Sequence, residues 1–269
     1  MKMIKLCTID LDGTLFDSQK RISDENKKAI LAAKEKGCKI VIASGRPIHG
    51  IVTVLEELQL FRQDDYVICY NGAKVFTTLD GNCIYDSVIS GKDVKELYQE
   101  AKRLNVFIHA FRKNEQLITP QHNPYTDVEM KINHIDAVLY DFDAIKDDDE
   151  FLKCMLVADE HDITRAMNEL DQKFYDRYSV VRSSKIFLEF LNKTTHKGSA
   201  LKALANYLDL DIQETMAIGD AGNDLEMIKT AGIGVAMENA FEEVKKVADF
   251  ITTSNEQDGV ANAIKRFIL

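Results

Sequence analysis

Six short, largely apolar runs recur along the chain, at residues 3–9, 39–43, 66–70, 215–218, 233–236 and 250–252. Runs this short and this continuously apolar read as strands buried on both faces, as in a parallel sheet. Helical patterns lie between most of them. Ser23 can cap a helix over 24–36, with Ala29, Ile30, Ala32 and Ala33 on its apolar side and Gly37 as its stop. Pro47 suits the first turn of a helix reaching about Leu58. Further helices are predicted over 197–208 and about 224–230, with a closing helix at the end. Strand and helix in alternation is the βαβ rhythm, so the fold class is α/β, a parallel sheet covered by helices.

The rhythm changes near residue 83. Residues 91–104 are amphipathic, with Val94, Leu97, Tyr98, Ala101 and Leu104 at helical spacing. Short strand-like runs follow at 106–111 and 116–119, then an irregular stretch holding Pro120 and Pro124. The acidic run at 147–150 reads as a solvated loop or helix start before the strand 153–158. A helix over about 162–173 and strands at 178–182 and 186–191 complete this part. Strands joined by short turns point to an antiparallel α+β module. The expected organisation is a core of 1–83 and 187–269 interrupted by an inserted domain at 84–186. No internal repeat is visible.

Composition narrows the function classes. With 269 residues, 45% hydrophobic and 29% charged, the chain can bury a real core. A net charge of −10 offers no long-range attraction to nucleic acid or to an anionic membrane surface. Cys7, Cys38, Cys69, Cys83 and Cys154 are scattered and lack metal-type pairing, which suits a reducing compartment. No stretch is long enough to cross a bilayer, and Asp10 breaks the first apolar run. A cytoplasmic protein is expected.

The chemistry-bearing residues fall at predicted strand ends and helix starts. Asp10 and Asp12 close the first strand, and Gly13 permits a sharp turn. In open α/β sheets ligands gather beyond the carboxyl ends of the strands. Two carboxylates held together repel unless a cation sits between them, and hard oxygen ligands suit Mg²⁺. A simple turn after a strand would also use Asp and Gly, so the pair gains weight only from its companions. These are Ser44 after the second strand, Lys197 at a helix start, and Asp220 and Asp224 in 219–224. The inventory fits phosphoryl transfer to water. Cations neutralise a phosphate ester, a carboxylate attacks it through an acyl phosphate, and a second carboxyl group moves the proton.

Asp10-Leu11-Asp12-Gly13-Thr14, Ser44-Gly45-Arg46, Lys197-Gly198 and Gly219-Asp220-Ala221-Gly222-Asn223-Asp224 together resemble the four motifs of the haloacid dehalogenase-like (HAD) hydrolase superfamily. An insert between the second and third motifs resembles the Cof-type phosphatases with a type IIB cap. Tyr70-Asn71-Gly72-Ala73 and Asp258-Gly259-Val260-Ala261 are similar to the same subfamily, nearest the YidA-type sugar phosphatases. The resemblance implies a three-layer, Rossmann-like core and an α+β cap that closes over the site. It implies Asp10 as nucleophile and Mg²⁺ ligand, and Asp12 as general acid/base with its backbone carbonyl on the metal. Asp220 becomes a further Mg²⁺ ligand. Leu11 (by backbone N–H), Ser44, Lys197 and Asn223 become phosphate contacts, and Gly45 lets the backbone approach the anion. Thr14 would fix the turn, and Asp224 would orient Lys197 or a metal-bound water. Arg46 is left between substrate contact and pairing with an acid, while Asn71 and Gly72 either form a turn or face the cleft.

The expected function is Mg²⁺-dependent hydrolysis of small phosphorylated metabolites, sugar phosphates foremost, through an aspartyl phosphate. The competing readings are a phosphotransferase or phosphomutase of the same superfamily and a phospholigand-binding module without turnover. The histidines lack ligand spacing, and Phe107, Phe111 and Tyr125 are assigned to packing in the insert.

Overall fold

The structure, a computed structural model, describes residues 2–269. The described residues divide into two compact units, one of residues 2–85 with 196–269 and one of residues 86–195.

The first unit is built on a sheet in the order Phe250–Ile251, Ile233–Ala236, Thr215–Gly219, Leu6–Asp10, Lys39–Ala43, Tyr66–Cys69, Lys74–Thr77, Cys83–Asp86. The first six strands run parallel, and Lys74–Thr77 turns back antiparallel on Tyr66–Cys69. Leu6–Asp10 lies in the middle, with later strands added on both sides. Strand order reverses there, and such a switch point opens a crevice at the carboxyl ends. Helix Lys197–Tyr207 lays Ala200, Leu201 and Leu204 into one core cluster with Leu6, Val41, Ala43, Ile68 and Ala217. Helices Asp24–Glu35 and Gly259–Phe267 pack together, and the Ala261 N–H donates to Asn26 Oδ1 at 2.8 Å. The Ser23 cap is present, its side chain accepting from the Asn26 N–H.

The second unit has a sheet ordered Tyr178–Ser184, Phe187–Asn192, Glu150–Val157, Phe107–Arg112, Leu117–Thr119, Ala137–Leu139, with Ile89–Ser90 beside the start of Glu150–Val157. Helix Gly91–Leu104 contributes Val94, Leu97, Ala101 and Leu104 to a core shared with Ile108, Ala110, Cys154, Leu156, Leu188 and Phe190. His109 is buried, touching Thr126 Oγ1 (3.0 Å) and Met155 Sδ (3.2 Å). Burial, with the Lys153 charge, pushes its imidazole down to about 3, so it stays neutral.

Three elements differ from the sequence reading. Phe187–Asn192, read with the strands of the insert but left beyond the boundary drawn at 186, pairs with Tyr178–Ser184 and Glu150–Val157, so the second unit runs on to Thr195. The irregular stretch contains a helix, Pro124–Asn133, capped by Asn123 with Pro124 in its first turn, a position where proline's missing N–H does no harm. The helix expected over 162–173 is two, Glu160–Glu169 and Gln172–Arg177. Leu170 is extended between them, and Asp171 restarts the helix by accepting from the Lys173 N–H. Among the described residues no helix is long and apolar enough to cross a membrane.

Candidate active site

Strand register gathers three of the four motifs. Ile9 is level with Ile218, which brings Asp10 beside Gly219 and the loop that opens at Asp220. Asp10 is level with Ala43, so Ser44 is the first residue beyond the sheet on the other side. Gly13 has φ +88°, and a Cβ there would sit 2.9 Å from the Asp220 carboxylate carbon. Only glycine makes that turn and leaves Asp220 its space. Thr14 Oγ1 then donates to Asp220 Oδ1 at 2.7 Å.

Lys197 joins the acids. Its side chain is fully buried, and Nζ donates to Asp10 Oδ1 and, at 2.7 Å, to Asp224 Oδ1. The other oxygen of Asp224 accepts the N–H groups of Asp220 (3.0 Å) and Ala221 (3.1 Å). Oxygens of Asp10, Asp220 and Asp224 all lie within 4.8 Å of one another. Helix Lys197–Tyr207 is seated by Gly72, whose φ is +97° and whose absent Cβ would fall 2.9 Å from the Lys197 nitrogen. Next to it, Asn71 holds φ +54°, its N–H donates to the Ser44 carbonyl (3.0 Å), and Asn223 Nδ2 donates to its Oδ1 (3.1 Å). Gly45 lies against the same Asn71 amide.

The electrostatics are unbalanced. Three carboxyl groups share one ammonium, so full ionisation would leave two negative charges. Burial first, then the Asp224 charge, holds the Asp10 carboxyl well above its ordinary range against the pull of Lys197. Burial pushes Asp220 up to about 6, opposed by the Thr14 hydroxyl and reinforced by Asp224. Burial works against the charge on Lys197, but Asp10 and Asp224 outweigh it and raise its pKa. A buried site short of two positive charges and lined by hard oxygens fits a divalent cation such as Mg²⁺. Asp224 has its oxygens committed to Lys197 and two N–H groups, so Asp10 and Asp220 are the better ligands. A second group, Asp159, His161 and Asp162, is less suited. There Asp159 caps a helix, and Asp162 is paired with Arg165.

Asp12 stands apart. Arg46 grips its carboxylate in a fork, Nη2 at 2.8 and 2.9 Å and Nε at 3.1 Å, and Lys20 Nζ donates at 2.5 Å. Burial acts to raise its pKa, but Arg46 and Lys20 prevail and hold it below the usual carboxylate range. Of the two roles open to Arg46, this geometry displays the pairing. The Leu11 side chain is fully buried, so only its backbone can serve a ligand. The Ser44 hydroxyl accepts the Arg46 N–H at 3.2 Å.

Sequence reasoning missed three polar side chains beside the Asp12 turn: Lys20, Asn239 and Asn255. Asn239 Nδ2 donates to the Gly13 carbonyl (2.8 Å), and Asn255 Nδ2 donates to the Phe16 carbonyl (2.9 Å). Their targets are backbone atoms far off in sequence, and no spacing rule exposes such a contact.

Comparison with known proteins shows the family to which the chain belongs. A family model described as haloacid dehalogenase-like hydrolase matches residues 7–264. A putative phosphatase of Streptococcus pyogenes serotype M6 is 37% identical over 268 residues, covering 99% of each chain. A crystal structure of a haloacid dehalogenase-like hydrolase from Bacteroides thetaiotaomicron superposes with a TM-score of 0.84 at 35% identity, covering 98% of this chain and 99% of the other. The HAD subclass IIB sugar phosphatase BT4131 superposes with a TM-score of 0.80 at 28% identity, covering 98% of each.

Proposed function

The chain belongs to the haloacid dehalogenase-like hydrolases, as a phosphoric monoester hydrolase, and within that family we propose that it is a Mg²⁺-dependent phosphatase of small phosphorylated metabolites, sugar phosphates foremost. The observation that carries this reading is the buried Lys197 ammonium shared by Asp10 and Asp224, with Asp220 opposite and two negative charges uncompensated. Similarity to a sugar phosphatase supports the substrate class.

Asp10 and Asp220 would hold the cation, with the Asp12 backbone carbonyl. When bound, Mg²⁺ supplies charge neutralisation for the phosphate and its transition state. Asp10 attacks phosphorus as the ester P–O bond breaks, and Asp12 gives its proton to the leaving oxygen. Asp12 then takes a proton from the water that attacks the aspartyl phosphate, and Asp10 is released with inorganic phosphate. Lys197, the Ser44 hydroxyl, the Leu11 N–H and Asn223 bind the phosphoryl oxygens, while Asp224 orients Lys197 and Thr14 orients Asp220. For Asp12 to carry a proton, Arg46 and Lys20 must loosen their hold. The dianionic phosphate is the natural competitor for Arg46.

The test is phosphate release from p-nitrophenyl phosphate and a panel of sugar phosphates, with Mg²⁺ and with EDTA, for wild type and Asp10→Asn. Mg²⁺-dependent release, lost by at least about a thousandfold in the variant, is expected. Release that survives either EDTA or the variant overturns the assignment.

A further inference from the structure

The turn that carries Asp12 is held from outside by side chains of two distant loops. Within the turn, the Leu15 N–H reaches the Asp10 carbonyl (3.3 Å) and the Phe16 N–H reaches the Leu11 carbonyl (2.9 Å). The carbonyls of Gly13 and Phe16 are taken by the amide groups of Asn239 (2.8 Å) and Asn255 (2.9 Å). The two asparagines are themselves joined, the Asn255 N–H donating to Asn239 Oδ1 at 3.0 Å. Glu256 Oε1 extends the grip by accepting the Ser18 N–H at 2.7 Å. Asn239 follows the strand Ile233–Ala236, and Asn255 follows Phe250–Ile251, so the far edge of the sheet fixes the turn after the first strand.

We propose that Asn239 is a positioning residue for proton transfer, clamping the Gly13 peptide so that Asp12 is aimed at the leaving oxygen. The inference rests on the role given to Asp12 above. An amide suits the task because it sets a donor beside an acceptor, and this site needs both at once, for a carbonyl and for an N–H. A surface hydrogen bond between loops ordinarily adds only a little stability. Here the bonded carbonyl belongs to the residue next to Asp12, and small displacements of a general acid are felt in rate. The backbone of the Asn239 loop has its own anchors, the Ala240 N–H on the Met237 carbonyl and the Phe241 N–H on the Asp220 carbonyl, both 3.0 Å. Truncating the Asn239 side chain therefore removes the clamp and leaves the loop.

Asn239→Ala and Asn239→Asp decide the matter. The second keeps the acceptor for Asn255 and turns a carboxylate oxygen on the Gly13 carbonyl. A sugar phosphate expels an alkoxide that needs the proton, whereas p-nitrophenolate leaves without it. Both variants are expected to lose roughly tenfold in kcat/KM on the sugar phosphate and less than about twofold on p-nitrophenyl phosphate. The half-saturating Mg²⁺ concentration should be unchanged. Equal loss on both substrates, no loss on either, or a shifted Mg²⁺ requirement overturns the proposal. Amide hydrogen exchange at residues 13–18 supplies a readout without turnover. It should quicken in both variants while the thermal midpoint of the whole protein stays in place, and unchanged exchange overturns the clamp. If wild type releases phosphate from no substrate, the proposed function fails instead, and exchange still decides the clamp.

Discussion

Lys197 opens its helix from a position where the helix dipole disfavours a cation, and it does so with a fully buried side chain. Its two carboxylate partners explain how that is tolerated. Removing one member of a buried ion pair leaves an uncompensated charge, which is far more damaging than the pair is stabilising. Lys197→Met is accordingly expected to lower the unfolding free energy by about 3–5 kcal/mol and to abolish turnover. Adding Asp224→Asn removes one of the stranded charges, so the double variant should be more stable than the sum of the single effects predicts. Urea unfolding of the four proteins measures the coupling. Additive losses would mean that Lys197 and Asp224 do not act on each other as their 2.7 Å contact requires.

At the scale of elements, the site is a meeting of turns, and one contact shows how tightly they are fitted. Gly72, at φ +97°, lies directly against the His196–Lys197 backbone that begins helix Lys197–Tyr207. Gly72→Ala must strain a left-handed turn and push that helix start away, so Asp10 and Asp224 lose their cation's position. A loss of roughly 2 kcal/mol or more is expected in urea unfolding, together with a fall in phosphate release. A variant of wild-type stability and rate would show that the turn and the helix move independently. The strand-end acids, Ser44, Lys197 and the parallel rhythm were legible in sequence because short apolar runs and helix periodicity are local signals. Which acid Arg46 would meet was not, nor was Lys20, since both converge on Asp12 only through folding. Pro124 falls in a stretch without regular spacing; proline interrupts a helix anywhere but its first turn, and only the Asn123 cap reveals which case applies. A boundary at 186 cuts off the insert's last strand, because the sequence does not say which sheet that strand joins. Pairing with Tyr178–Ser184 assigns Phe187–Asn192 to the second unit.

For the whole molecule, a net charge of −10 adds a background of self-repulsion to the local excess around Asp10. The pH dependence of stability should carry the mark of that excess. Asp220 has its folded pKa pushed up to about 6, above the ordinary carboxylate value of about 3.9. Between those values the folded protein binds more protons than the unfolded chain, so stability falls as pH rises through the interval. The displacement corresponds to at most about 3 kcal/mol, reduced by the screening that partial exposure allows. Asp10, raised in the same direction, adds to the slope. Asp12, Asp93 and Glu96 are displaced downward, and their stabilisation is lost at lower pH as they protonate, so the two effects occupy different windows. Urea midpoints in EDTA should therefore decline for wild type from about pH 4.5 to 7. The decline should be shallower for Asp220→Asn, which has no charge to bury there. Saturating Mg²⁺ should flatten the wild-type curve, because a ligand that binds only the folded site stabilises it most where the acids are ionised. A wild-type curve that matches Asp220→Asn in EDTA and does not respond to Mg²⁺ would mean that the two uncompensated charges are balanced by something other than a divalent cation.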